Sequence, residues 1–199
     1  MQSNQSVKFQ ALSLIRDEHR SLAAVVHALQ FLAERLKKGA PADTTLLGAI
    51  THYLTQFPEQ LHHPAEDRWL FAPLRAKTKE GSAVLDILEA EHEAGDERAV
   101  KLALAVSELA ANVPGAVDDF VRVVDQYAQF YWGHMMREET LIFPLAERYL
   151  TDEDWTAAVD GFKANCDPMF GGDTAEEFGA LFRRIVYLAP APIGMGGKG

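Results

Sequence analysis

Three stretches of the chain set their apolar residues at alternating steps of three and four, and each admits a histidine to that seam. The first runs Leu12, Ile15, His19, Leu22, Val26, Leu29, Ala33, Leu36. Another runs Leu85, Leu88, His92, Gly95, Ala99, Leu102, Val106, Leu109, and the longest runs Val117, Phe120, Val124, Tyr127, Tyr131, His134, Glu138, Leu141, Leu145. This period lines one face of an α-helix, so the chain must form long amphipathic helices that bury their seams against one another. Helix packed on helix is the architecture that satisfies them, and no run reads convincingly as a strand. The expected fold class is all-α.

The second segment, about residues 43–77, is less regular because it holds Pro58, Pro64 and Pro73. Each proline removes a backbone donor, which predicts a kinked or interrupted helix whose turns are re-registered near the histidines. Copying the register of the last seam onto it gives a polar face: Thr45, Gly48, His52, Thr55, Glu59, His62, Glu66, Trp69. A rotated helix with Leu47, Ile50, Leu54, Phe57 and Leu61 facing inward is the favoured reading. The breaks "KKGAPAD", "TKEGS" and "NVPG" are short enough to join antiparallel neighbours. Residues 1–150 are therefore expected to form an up-down-up-down four-helix bundle. Residues 151–188 read as a helical extension packed on it. Its first short helix is capped at Thr151 and its last runs through "TAEEFGALFRRIVYLA", while 189–199 form a flexible tail.

With 199 residues, 48% of them hydrophobic, the chain can bury one substantial core without a second domain. It has no long apolar run and no basic-then-apolar leader, so the expected location is the cytoplasm, with no membrane partner. Cys166 is the single cysteine and cannot form an internal disulfide. A net charge of −10 disfavours nucleic acid and anionic lipid, and suits cationic partners such as metal ions.

The chain also repeats itself. "HHPAEDRWLF" begins at residue 62 and "HMMREETLIF" at residue 134, each with a histidine followed by a glutamate four residues on. His19 precedes His62 by 43 residues and His92 precedes His134 by 42, which reads as a duplicated helix pair. Side chains at i and i+4 share a helix face with Cβ atoms about 5–6 Å apart, close enough to reach one centre. Four helices would deliver four imidazoles and two carboxylates to one layer. Nitrogen and oxygen donors without thiolate suit iron or manganese, less often zinc or copper. One glutamate per half allows both carboxylates to bridge two ions, leaving room for a small exogenous molecule. A lone buried histidine is more often a hydrogen-bonded core residue. A glutamate on an apolar seam is harder to accommodate, since burial without a cation costs several kcal/mol. Ferritin-like bundles use the order ExxH at i+3; here the order is reversed and the spacing is four.

Neighbouring residues carry weaker signals. On a regular helix His63 points about 100° away from His62, as an exposed or supporting side chain. Tyr127 and Tyr131 read as core aromatics, or as hydrogen-bond donors to a bound oxygen species or carriers of an electron hole. Asp67 and Glu139 stand beside the two glutamates, placed either to orient histidines or to face solvent.

The segments "RDEH", "FPEQLHHPAEDRWLF", "EAEH" and "HMMREETLIFP", spread over residues 10–148, resemble the hemerythrin-like, HHE cation-binding family. The resemblance implies that His19, His62, Glu66, His92, His134 and Glu138 are ligands of a non-haem di-iron centre bridged by Glu66 and Glu138. It implies two iron ions joined by an oxo or hydroxo group, with manganese or zinc as substitutes. The partner would be dioxygen or another small diatomic or peroxide ligand. The two C-terminal helices are placed either to form a homodimer interface or to cover the site entrance. Oxygen-carrying hemerythrins place a second histidine four residues after the one on the third helix, where this chain has Asp96; Asp96 is thus a candidate seventh ligand. The symmetric four-histidine, two-glutamate set resembles instead the branch associated with iron–sulfur cluster repair, though that branch often carries a Cys-containing N-terminal domain with no counterpart in this sequence. The expected function is binding or sensing of dioxygen or a related molecule. The alternatives are a di-iron enzyme or iron donor in nitric oxide or peroxide stress, and an interaction bundle whose metal is structural.

Overall fold

The computed structural model describes residues 2–165 and, further on, Arg183, Ile185 and Tyr187. The described residues form six helices and no strand, as the all-α expectation requires. Helix α1 is Gln2–Lys37. Helix α2, 44–77, runs without a break through Thr44–Phe57, Pro58–His62, His63–Glu66, Asp67–Phe71 and Ala72–Lys77. Helices α3 and α4 are Ser82–Glu93 and Gly95–Ala110. Helix α5, 116–149, joins Ala116–Arg137, Glu138–Ile142 and Phe143–Tyr149, and α6 is Asp152–Asn165. The first turn of α2 is capped by Asp43, whose carboxylate accepts from the Leu46 N–H at 2.9 Å, an interaction worth about 1 kcal/mol.

Two hydrophobic clusters fix the direction of each helix. One joins Leu22–Leu36 of α1, Leu46–Phe57 of α2, Leu102–Leu109 of α4 and Ala116–Met135 of α5. The other joins Ala11–Ile15, Ala65–Leu74, Leu85–Leu88 and Ile142–Leu150 with Trp155, Ala158 and Phe162 of α6. The C-terminal half of α1 thus meets the N-terminal half of α2, the C-terminal end of α4 and the N-terminal half of α5. Successive bundle helices are antiparallel. The layer between the clusters is where His19, His62, Glu66, His92, His134 and Glu138 fall.

The α1 seam is buried along its whole length, and so is the seam through α3 and α4. That second seam does not lie on a single helix, as its rhythm suggests. Ala94, at φ −91° and ψ 3°, separates α3 from α4. The break falls next to a glycine, the residue that most weakens a helix interior after proline, and Gly95 admits a close approach from α2: a Cβ there would stand 1.7 Å from Glu59 Oε2.

Three turns of wide, π-type helix re-register the other two. Backbone N–H groups of His63, Ala72 and Phe143 bond the carbonyls of Pro58, Asp67 and Glu138, five residues back. Each turn precedes a proline, Pro64, Pro73 or Pro144. A proline ring collides with the carbonyl four residues before it, and those carbonyls, of Gln60, Trp69 and Thr140, all lie in the widened turns. The prolines therefore do not interrupt α2; they shift its register near the histidines, as expected of them. Leu47, Ile50, Leu54 and Phe57 are buried, Leu61 partly so, with Thr45 and His52 outside, so the rotated reading of α2 holds. A five-residue step then brings His62 onto the inward face. On α5 the same shift overturns the expected end of the seam: Leu141 is 45% exposed and Leu145 half-buried, while Ile142, Phe143 and Ala146 face the core. At the start of α5, Ala116 takes the buried place expected of Val117.

Helix α6 lies along α1 and the middle of α2. Thr151 Oγ1 and the Asp154 N–H face each other at its start, and the Asp154 carboxylate pairs with Lys77 at 2.8 Å. Gly161 permits close packing on Trp69, where a Cβ would come within 2.3 Å of the indole nitrogen. The expected last helix, Cys166 and the tail lie outside the described residues, except that Arg183, Ile185 and Tyr187 are helical and Ile185 is buried in the first cluster.

Candidate metal centre

All six sequence-identified residues meet in the layer between the clusters, each at least nine-tenths buried. Glu66 and Glu138 are 0% exposed, and none of their four carboxylate oxygens has a hydrogen-bond partner. Around them stand histidine Nε2 atoms. His19 Nε2 lies 3.5 Å from Glu66 and 3.4 Å from Glu138. His62 Nε2 is 3.4 Å from Glu66, and His134 Nε2 is 3.2 Å from Glu138. His92 Nε2 is 3.7 Å and 3.8 Å from the two carboxylates. Donor atoms of His19, His62 and Glu66, and of Glu66, His92, His134 and Glu138, fall within 4.8 Å of one another. Two anions taken out of water with no donor to answer them require cationic charge nearby.

The outer ring nitrogens are equally ordered. His19 Nδ1 faces Glu139 at 2.8 Å, His62 Nδ1 faces Glu18 at 2.7 Å, His92 Nδ1 faces Asp67 at 2.8 Å and His134 Nδ1 faces Glu91 at 3.0 Å. An imidazole that binds a cation through Nε2 donates its Nδ1–H to such an acceptor, which fixes tautomer and ring direction. The four carboxylates thus fit the group that the six residues would hold. His92 and His134 add a second indication: their Nε2 atoms approach to 3.1 Å, a distance that calls for a proton or a metal ion between two lone pairs.

Electrostatics follow from burial and the carboxylates. Burial opposes charge on His19, yet its hydrogen bond with Glu139 and the neighbouring Glu66 and Glu138 outweigh it, raising the imidazole to about 10. Burial likewise opposes charge on His92 and His134, and Asp67 and Glu138 carry the former to about 10 while Glu138 and Glu91 carry the latter to about 9. Burial alone would push Glu138 up, but the surrounding imidazoles hold it well below the usual carboxylate range. In the His62–Glu18 pair burial resists both charges, moving Glu18 up to about 8 and His62 down to about 4.

Asp67 and Glu139 each support a histidine of another helix. Glu18 and Glu91, which sequence reasoning passed over, do the same for His62 and His134. Their signal was present in "DEH" and "AEH", where each directly precedes a candidate ligand but serves the next bundle helix. Glu91 is also held by the Arg137 guanidinium. Asp96 does not approach the centre: it is exposed and accepts from Gln60 at 3.3 Å. His63 is not turned outward as a regular helix would have it. It is 2% exposed and stacks on His92, with ring centroids 4.2 Å apart, because the wide turn ending at His62 carries it into the core. Tyr131 is buried and donates to Glu59 at 2.9 Å; Tyr127 packs beside it, with centroids 4.9 Å apart. A surface cleft of about 340 Å³, lined by Ala23, Trp132, Met135, Met136 and Glu139 among others, reaches His19.

A helical bundle carrying a buried histidine and glutamate layer between two apolar clusters defines a cation-binding bundle of the hemerythrin type. The sequence profile of the hemerythrin HHE cation binding domain matches residues 10–146, and the chain belongs to that family. Comparison with curated proteins and with solved structures gives no match. Membership and the buried cluster together identify a metal-binding, hemerythrin-like protein.

Proposed function

We propose that this chain is a non-haem di-iron protein that binds or senses dioxygen or a related small molecule. His19, His62, His92 and His134 are its terminal ligands and Glu66 and Glu138 its bridges. The observation that carries this reading is the pair of fully buried, unpartnered carboxylates enclosed by four Nε2 atoms, each backed by its own carboxylate. A bound pair of redox-active ions supplies an open coordination position for a small ligand. The chain's own part is to fix the donors, exclude bulk water and leave the cleft at His19 as an approach. Among the described residues no helix is long and apolar enough to cross a membrane.

Metal analysis and an optical spectrum of protein purified without added metal test the centre. Two irons per chain, with oxo-bridge absorption that changes on adding azide, are expected. A single ion, or a spectrum indifferent to azide, would leave a structural metal instead. Rapid mixing of the reduced protein with dioxygen and with nitric oxide then tests the role. A reversible oxygen adduct is the expected result; turnover or loss of iron would assign the centre to an enzyme or an iron donor.

A further inference from the structure

We infer that His63 is a fifth imidazole ligand, forming with His92 and His134 a three-nitrogen position for one ion of the pair. The inference rests on the di-metal reading above and adds to it an asymmetry that the duplicated sequence does not suggest, since residue 135, the counterpart of His63, is a methionine.

His63 Nε2 is buried, has no hydrogen-bond partner, and belongs to a side chain that is 2% exposed. Ring nitrogens of His63, His92 and His134 all lie within 4.8 Å of one another. Its other nitrogen, Nδ1, faces the Glu59 carboxylate at 3.2 Å, the arrangement found at each of the four terminal histidines. Glu59 is itself held by the Tyr131 hydroxyl and lies against Gly95, so the acceptor is built into the core. A histidine present only to fill space would have no need of a carboxylate on one nitrogen and a buried lone pair on the other.

The contact with Glu59 is the longest of the five Nδ1–carboxylate contacts. Each imidazole on an ion contains that ion in its own ring plane, so two rings on one ion do not keep the 9° stack that His63 makes with His92. To share an ion with His92, the His63 ring would turn about its Cβ–Cγ bond out of this stack. The consequence is an uneven pair: one ion takes His63, His92 and His134, the other takes His19 and His62. The open position then falls on the ion at His19, the histidine that the surface cleft reaches.

The test is anaerobic titration of chelator-treated full-length protein with ferrous iron, followed by Mössbauer spectroscopy of the oxidised, iron-57-loaded form. Wild type should bind two ions and show two distinct quadrupole doublets of equal area. In His63→Ala one of the two affinities should fall about tenfold or more with the other unchanged, and one doublet should shift. Imidazole added to His63→Ala should restore the lost affinity. His63→Gln, which keeps volume and a donor for Glu59, should show the same loss and guards against a folding defect in the alanine variant. Two unchanged affinities and unchanged doublets in either folded variant would overturn the ligand role while leaving the di-metal reading intact. A wild type that binds fewer than two ions would overturn both.

Discussion

His19 on α1 is held by Glu139 on α5: its Nδ1 stands 2.8 Å from the Glu139 carboxylate, while its Nε2 faces Glu138, the next residue back. The same crossing recurs in the other half, where His92 Nδ1 meets Asp67, the residue after Glu66. The two halves therefore complete each other's histidines.

Replacing an orienting carboxylate should loosen the centre without unfolding the bundle. Glu139 is partly exposed but faces buried His19 at 2.8 Å, so Glu139→Gln is expected to lower the melting temperature of the metal-free protein only modestly. It should weaken iron retention by about 10- to 100-fold, read as faster transfer to a ferrous chelator. Wild-type retention would remove Glu139 from its orienting role.

Glu138→Ala removes a shared donor and should lose one or both ions. Ligand binding at a thousandfold excess over Kd contributes about 4 kcal/mol to folding stability. Calorimetry should accordingly find that iron raises the melting temperature of wild type and scarcely moves that of the variant. An equal rise in both would place the ion elsewhere.

Metal uptake should release protons at pH 7. His19 is raised to about 10, and His92 and His134, raised to about 10 and 9, face each other at 3.1 Å with room for one proton between their Nε2 atoms, so with no ion bound the layer carries protons at pH 7 that an ion on Nε2 must displace. Affinity should weaken as pH falls, since every displaced proton is then harder to remove, by about tenfold per pH unit per proton. An indicator dye in weak buffer measures the release. No release, with affinity flat from pH 6 to 9, would contradict the assigned charges.

Gly95→Ala should destabilise the protein by about 1–3 kcal/mol, because the new methyl would occupy the place of the Glu59 carboxylate. Chemical denaturation of Gly95→Ala, Glu59→Ala and the double variant checks this. The double variant should be more stable than the sum of the two single losses, and strict additivity would show that the two residues do not meet.

Helix periodicity alone determined that this chain forms amphipathic helices, and the doubled HxxxE, with His19 and His92 on their seams, singled out the six donors that the structure gathers. Those signals were legible because i,i+4 spacing is a local property of a helix. Tertiary structure decided what depends on register and on neighbours. Three wide turns, each ahead of a proline, turned His63 inward and Leu141 outward; the prolines of α2 announced a disturbed register, but the five-residue hydrogen-bond step that sets its size and direction cannot be read from a pattern at 3.6 residues per turn. The pairing of Glu18 with His62 and of Glu91 with His134 also arose only on packing, since an acid beside a histidine in sequence points away from it on the helix and reaches the histidine of the adjacent one.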